Sequence, residues 1–126
     1  MKYLSALHLA PLDNGRDWRV TQPFGFEVEE GDEIWVSKDT ITDLTSTPRI
    51  LWRLAPPATG RQRKGAVIHD YLYRTQHRTR KKSDQIYLAC MQIDKVSWWK
   101  RKMIYHGLRL FGWYVWRQKR ANLSPC

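Results

Sequence analysis

A segment rich in proline divides the sequence into two parts with different hydrophobic periods. It holds Pro48, Pro56, Pro57 and Gly60. Before it, apolar and polar residues alternate, which is the period of a strand with one buried face. After it, apolar residues recur every three or four positions, which is the period of a buried helix face. The sequence therefore predicts an α+β fold, in which a short N-terminal antiparallel β-sheet precedes a three-helix half.

Local signals indicate where the elements lie. Glu30-Gly31-Asp32 predicts the turn of a hairpin, and residues 2–9 alternate as a further strand of the same sheet. We expect helices over 64–75, 83–93 and 98–118, with Ser83 as the N-cap of the second. The link before Ser83 is short, so the first two helices should be antiparallel neighbours. The apolar positions expected to be buried are Phe24, Phe26, Val28, Ile34 and Val36 in the strands and Trp99, Met103, Leu108, Phe111 and Val115 in the third helix.

The length and composition favour one domain over residues 1–126. Within it, residues 1–60 are β-rich and loop, with a short helical turn around 50–54. Residues 61–120 are helical, and 121–126 form a tail. Cys90 and Cys126 are the two cysteines, which indicates a chain that folds without a disulfide framework in a reducing compartment. The sequence has neither a recognisable signal peptide nor an apolar run long enough to span a bilayer.

Positive charge is concentrated towards the C-terminus. Residues 1–60 carry six Lys/Arg and nine Asp/Glu, whereas residues 95–126 carry eight Lys/Arg and no acid. Seven of the sixteen aromatic residues also follow residue 94. This pattern suits a partner protein, an anionic membrane surface or, with less support, nucleic acid. The simplest alternative is a basic, solvated face around a core helix.

A polar cluster interrupts the first two predicted helices. His69 and Asp70 follow an apolar run, and burying such groups is costly unless they pair. Tyr73 lies one turn after His69, and Asp84 opens the next helix. We expect Asp84 to hold one imidazole nitrogen of His69 and to accept the Tyr73 hydroxyl, which would leave the other nitrogen as a general base. The alternative is a purely structural hydrogen-bond network.

The same residues resemble a known helix pair. "HDYLY" followed by "SDQIYLACM" is similar to the paired helices of phospholipases A2, especially their viral capsid form. The resemblance implies that His69 activates a water and that Asp84 orients the imidazole of His69. It also implies that Tyr73 supports Asp84 and that Asp70 binds calcium. It covers about a quarter of the chain, and the glycine-rich calcium loop and the many disulfides of the secreted enzymes are absent from the sequence.

A second resemblance covers more of the chain. "TDLTSTPR", "APPATGRQRKGAVIHDYLYR", "SDQIYLACM" and "YHGLRLFGWYVW" resemble, in this order, a family of small phage and prophage proteins called domain of unknown function 1353. The match runs over roughly residues 36–116 and includes Asp43, Ser46 and Arg49 in its first segment. It implies a phage origin without implying an activity.

Two kinds of metal site are conceivable from these residues. Asp70 and Asp43 would supply oxygen ligands to Ca²⁺ if the Asp43 loop folds over the helices. Arg49 competes with that arrangement, because a guanidinium on either carboxylate would make an ion-pair network instead. A zinc site built from His69, His77 and His106 is the weaker option.

The sequence thus leads to two functional hypotheses. The first is a phage-encoded, phospholipase A2-like hydrolase acting on host envelope lipid. The second is a non-enzymatic virion or tail-associated protein, or one that binds a host factor, with Asp43, Ser46, Arg49 and the helix residues forming a structural network. In both, we expect synthesis in the host bacterial cytoplasm and a place in the virion as a further option.

Overall fold

The computed structural model describes residues 1–13, 17–42 and 62–123, with side chains up to residue 120. In this part of the chain, six strands precede three helices, which confirms the predicted α+β class. The chain divides into two compact units, Met1–Asp43 and Leu44–Cys126. The predicted helical turn at 50–54, the predicted loop residues Asp43, Ser46 and Arg49, and the last residues of the tail lie outside the described residues.

The first unit contains two antiparallel sheets of three strands each. One sheet has the order β1-β4-β5 and the other β2-β3-β6. The strands are β1 Lys2–Tyr3, β2 Leu9–Pro11, β3 Trp18–Val20, β4 Phe24–Glu29, β5 Asp32–Val36 and β6 Ile41–Thr42.

The central hairpin forms as the sequence predicts. β4 pairs with β5, and Gly31 in the turn has φ +81°, a conformation that glycine adopts without steric cost. The predicted apolar face is confirmed, because its five side chains are at most 3% exposed: Phe24, Phe26, Val28, Ile34 and Val36.

Residues 2–9, predicted as one strand, instead contribute β1 to one sheet and the first residue of β2 to the other. β1 pairs with β4, whereas β2 pairs with β3. Ser5 explains the break: its hydroxyl donates to the Pro23 carbonyl at 3.2 Å and accepts from the Gly25 amide at 3.0 Å. A side chain that bonds to the backbone in this way replaces the strand ladder locally.

The second unit is built from α1 Arg63–Thr75, α2 Arg80–Ile93 and α3 Trp98–Leu123. Gly65 on α1 lies against Cys90 near the end of α2, while Tyr73 near the end of α1 contacts Asp84 near the start of α2. The two helices are therefore antiparallel, as the short link predicts. No helix in the described ranges combines the length and apolar character needed to cross a membrane.

The second helix begins earlier than predicted, and Ser83 is not its N-cap. Thr79 takes that role, because its hydroxyl accepts the Lys82 amide at 3.1 Å. Ser83 is buried inside the helix and donates to the Thr79 carbonyl at 2.9 Å. Arginine and lysine favour helices, so residues 80–82 extend the helix instead of the link. Gln76, with φ 51°, ends α1.

The third helix buries a different face from the predicted one. Leu108 is buried as predicted, but Trp99, Met103 and Phe111 are 48%, 39% and 49% exposed. Ile104 and Gly112 occupy the buried side with Leu108. Apolar side chains lie on opposite sides of this helix, so periodicity alone does not distinguish them. The helix also continues to Leu123, beyond the predicted end at 118.

Candidate functional site

The structure brings His69, Tyr73 and Asp84 together at the interface of α1 and α2. One helical turn separates His69 from Tyr73, which places both on the same side of α1. The Asp84 Oδ1 atom lies 2.8 Å from His69 Nε2 and accepts the Tyr73 hydroxyl at 2.7 Å. All three side chains are buried, with 0% exposure. These contacts are the ones that helical spacing predicts, while the catalytic roles given to the three residues stay predictions.

The imidazole of His69 is fixed in position and has one unused nitrogen. Its ring contacts those of Tyr73 and Tyr87, with centroid distances of 4.2 and 4.8 Å. When Nε2 donates its proton to Asp84, Nδ1 presents a lone pair. This Nδ1 atom is buried and has no hydrogen-bond partner among the residues that the structure describes. A buried, unsatisfied polar atom costs about 1–3 kcal/mol, so an atom of this kind marks a position that merits a specific explanation.

Two arginines bind the second oxygen of Asp84. Arg109 on α3 donates to Oδ2 at 2.8 Å, and the guanidinium of Arg80 lies 3.7 Å from the same atom. Burial alone would raise the pKa of this carboxyl, but hydrogen bonds from His69, Tyr73 and Arg109 outweigh burial and lower it. Asp84 is therefore an anion at neutral pH.

The Tyr73 hydroxyl is a donor to that anion. Burial, and then the negative charge of Asp84, raise the pKa of Tyr73 well above its usual value. A phenol that keeps its proton donates continuously to Asp84 and holds the carboxylate in one orientation. Gly112 allows α3 to approach this hydroxyl, since a Cβ atom at that position would lie 2.8 Å from it.

Asp70 forms a separate ion-pair cluster. Its Oδ1 accepts from Lys119 Nζ at 2.9 Å, and its Oδ2 lies 3.0 Å from Arg74 Nε. The carboxylate is only 1% exposed, so these two cations neutralise a charge that would be expensive to bury alone.

The described residues do not fit the predicted metal sites. Both oxygens of Asp70 already contact cations, and in the described ranges no three His, Cys, Asp or Glu side chains are grouped to hold a metal. His77 and His106 are exposed, and His69 Nε2 is bonded to Asp84. Asp43 and Arg49 lie outside these ranges, so calcium binding at Asp43 and Asp70 stays a prediction.

Four cations that the described residues bring to the two clusters were not predicted from the sequence. Two of them lie one turn from their acids, Arg74 after Asp70 and Arg80 before Asp84, a spacing that indicates ion pairs on a helix. The other two, Arg109 and Lys119, come from α3 and lie 25 and 49 residues from their partners. The sequence has no local signal that joins them to those acids.

Comparison with known proteins gave one match. The model of a family described as "Protein of unknown function (DUF1353)" matches residues 18–108, well over half of the chain. The searches of curated proteins and of solved structures found no match.

Proposed function

Because the chain belongs to this family of unknown function, we propose its activity from the geometry of the site: it is a phospholipase A2-like hydrolase that cleaves an ester of host envelope lipid. The observation that carries the proposal is the arrangement of His69. One imidazole nitrogen is held by an ionised Asp84, and the other is buried without a hydrogen-bond partner in the described ranges. This is the arrangement that a general base on a water molecule requires.

The proposed reaction uses only the residues of this cluster. Nδ1 of His69 takes a proton from a water, and the hydroxide formed attacks the ester carbonyl carbon. The acyl carbon–oxygen bond then breaks, and the departing alkoxide takes the proton back from the imidazolium. A fatty acid and a lysolipid result. Asp84 stabilises the imidazolium, and Tyr73 keeps the carboxylate aligned.

Complete burial favours a second function for the cluster. His69 and Asp84 have 0% exposure, so a water and an ester reach Nδ1 only after the surrounding side chains separate. In the second function, the cluster joins the three helices of a non-enzymatic virion or tail-associated protein, or of a protein that binds a host factor. Both proposals assume a phage-encoded protein made in the bacterial host, for which the support is the resemblance to phage and prophage proteins.

Fatty-acid release from anionic phospholipid vesicles distinguishes the two functions. The wild type, His69→Gln and His77→Gln would be compared with calcium and with a chelator. Glutamine at position 69 can still donate to Asp84 but has no basic nitrogen. We therefore expect it to retain the fold and to lose roughly 100-fold or more of the rate, the usual contribution of a general base. His77 is exposed, so His77→Gln is the matched control and should act as the wild type does.

The same experiment can reject the hydrolase. Absence of release by folded wild type in both conditions would favour the structural role, and so would equal rates for the two glutamine variants. The calcium and chelator arms also test the predicted calcium dependence separately from the role of His69.

A further inference from the structure

The side of α3 that faces away from the buried residues carries several exposed apolar side chains, together with the exposed His106 and Arg117. Trp99, Met103, Leu110 and Tyr114 are 48%, 39%, 66% and 57% exposed, and their spacing places them on one side of the helix. Ile104 and Leu108, on the opposite side, are at most 2% exposed. These four exposed side chains form an apolar ridge, and Trp113, which is 49% exposed, lies beside them. An exposed apolar surface of this kind marks an interaction site.

Cations surround this ridge. Residues 98–123 include seven Lys/Arg and no acid. Lys100 and Lys102 lie 5.8 and 4.8 Å from the ring centroids of Trp99 and Trp98, and Arg117 lies 5.8 Å from that of Trp113. None of these three cations has a carboxylate partner in the described part of the chain, in contrast to Arg109 and Lys119. Their charge is therefore available to an anionic partner.

A separate groove lies beside the start of α3. It has a volume of about 280 Å³ and lies between α2 and α3, with Trp98, Arg101, Lys102 and His106 in its walls. The aromatic ring and aliphatic stems make its surface mainly apolar, while the cationic groups at its rim can bind an anion. This combination suits an anionic phosphate group at the membrane surface.

We propose that the outer face of α3 docks on an anionic membrane surface. Trp and Tyr side chains are favoured at the level of the headgroups, and Lys and Arg bind the phosphates. A second copy of this face is a poor partner because each copy would bring only cations to the interface. The helix would lie along the surface, since its apolar residues are interrupted by charge and it does not meet the requirements for a membrane span. The docking face is distinct from His69, so this inference stands whether or not His69 is catalytic.

Vesicle co-sedimentation of the full chain tests the proposal. The probe is phosphatidylcholine vesicles with and without phosphatidylglycerol, at low and at high salt. We expect binding only with phosphatidylglycerol and weakening by salt. The triple variant Lys100→Gln, Lys102→Gln, Arg117→Gln should bind about 100-fold more weakly, given the usual contribution of each surface cation.

A second variant tests the apolar contribution. Leu110→Ser with Trp113→Ser removes exposed side chains only, so the fold should persist and vesicle binding should fall at least about tenfold. Trp35→Ser is the matched control, because Trp35 is 45% exposed in the N-terminal unit, and it should bind as the wild type does.

Several results would overturn the docking surface. They are equal binding to neutral and anionic vesicles, unchanged binding by both α3 variants, and preference for single-stranded DNA over anionic vesicles. A dimer that dissociates in the Leu110 and Trp113 variant, with no vesicle binding by wild type, would assign the face to a second copy instead. The readout is binding and not product release, so failure here leaves the hydrolase test unaffected.

Discussion

Among single residues, Asp84 joins side chains from all three helices. His69, Tyr73 and Arg109 all bond to its two oxygens. Asp84→Asn would leave Arg109 without its anion, and removing one partner of a buried ion pair costs about 3–5 kcal/mol. Urea unfolding at neutral pH measures the loss. Asp13→Asn, at an exposed position, is the control and should unfold as the wild type does.

The lowered pKa of Asp84 predicts that the free energy of unfolding decreases as pH falls in the acid range. Its ionised form stabilises the fold fully above the unfolded pKa of about 3.9, and this contribution is lost as pH falls through the lower pKa of the folded protein. The difference in free energy of unfolding between wild type and Asp84→Asn should therefore shrink below about pH 4. A difference that stayed constant down to the acid transition would contradict this assignment.

The raised pKa of Tyr73 predicts how stability depends on pH in the alkaline range, where the free energy of unfolding should fall as pH rises. Its raised pKa means that the folded protein holds the phenolic proton more tightly than the unfolded chain. Tyr73→Phe should lose about 1–3 kcal/mol at neutral pH, because one hydrogen bond to a buried charge disappears. The deficit relative to wild type should narrow above about pH 10, where unfolded tyrosine ionises. Unfolding titrations of both proteins at neutral and alkaline pH provide the measurement.

At the scale of elements, close contact between α1 and α2 depends on Gly65. A Cβ atom there would lie 2.9 Å from Cys90 Cβ and 2.9 Å from the Tyr87 ring. Alanine normally stabilises a helix relative to glycine, but here overpacking should reverse the sign and cost about 1–3 kcal/mol. Thermal unfolding of Gly65→Ala, with Lys81→Ala as an exposed helical control, tests the reversal. A rise in the midpoint temperature of unfolding would show that α1 and α2 accommodate the added methyl group without loss of stability.

The sequence predicts contacts within and between neighbouring helices, but it does not predict how α3 packs against them. His69, Tyr73 and Asp84 were accessible to sequence reasoning because helical spacing and a short link bring them together. Arg109 was not, since its contact depends on how α3 packs. The outward position of Trp99 was missed for the same reason: both sides of α3 are apolar, and contact with the other helices selects the buried one. The segment with Asp43, Ser46 and Arg49 lies outside the described residues.

At the scale of the whole molecule, the strands and the helices each have their own core. Phe26 is 0% exposed in the N-terminal unit, and Leu108 is 0% exposed in the helical one. Phe26→Ala should cost about 3–5 kcal/mol and should act mainly on its own unit. Hydrogen exchange should accelerate at amides of β4 and β5 and remain unchanged in α1 and α2. Equal acceleration in both units would mean that the chain unfolds as one.

The family match includes the two buried acids but not all of the cations that neutralise them. The match ends at residue 108, within α3, so Arg109 and Lys119 lie beyond it. Asp70 and Asp84 lie inside it. The two acids and their local partners Arg74 and Arg80 are therefore inside the matched range, whereas the two α3 partners follow its last residue.

Because α3 supplies a cation to each acid, both acids lack that partner while the chain is being translated. The ribosome makes α1 and α2 before it makes α3, so the nascent chain carries Asp70 and Asp84 before their α3 partners exist. In that interval, Arg74 and Arg80 are the counterions that the neighbouring turns provide. Arg109 and Lys119 arrive afterwards and neutralise the two acids from a third direction. The local arginines thus offset part of the charge of the two acids before α3 has been made.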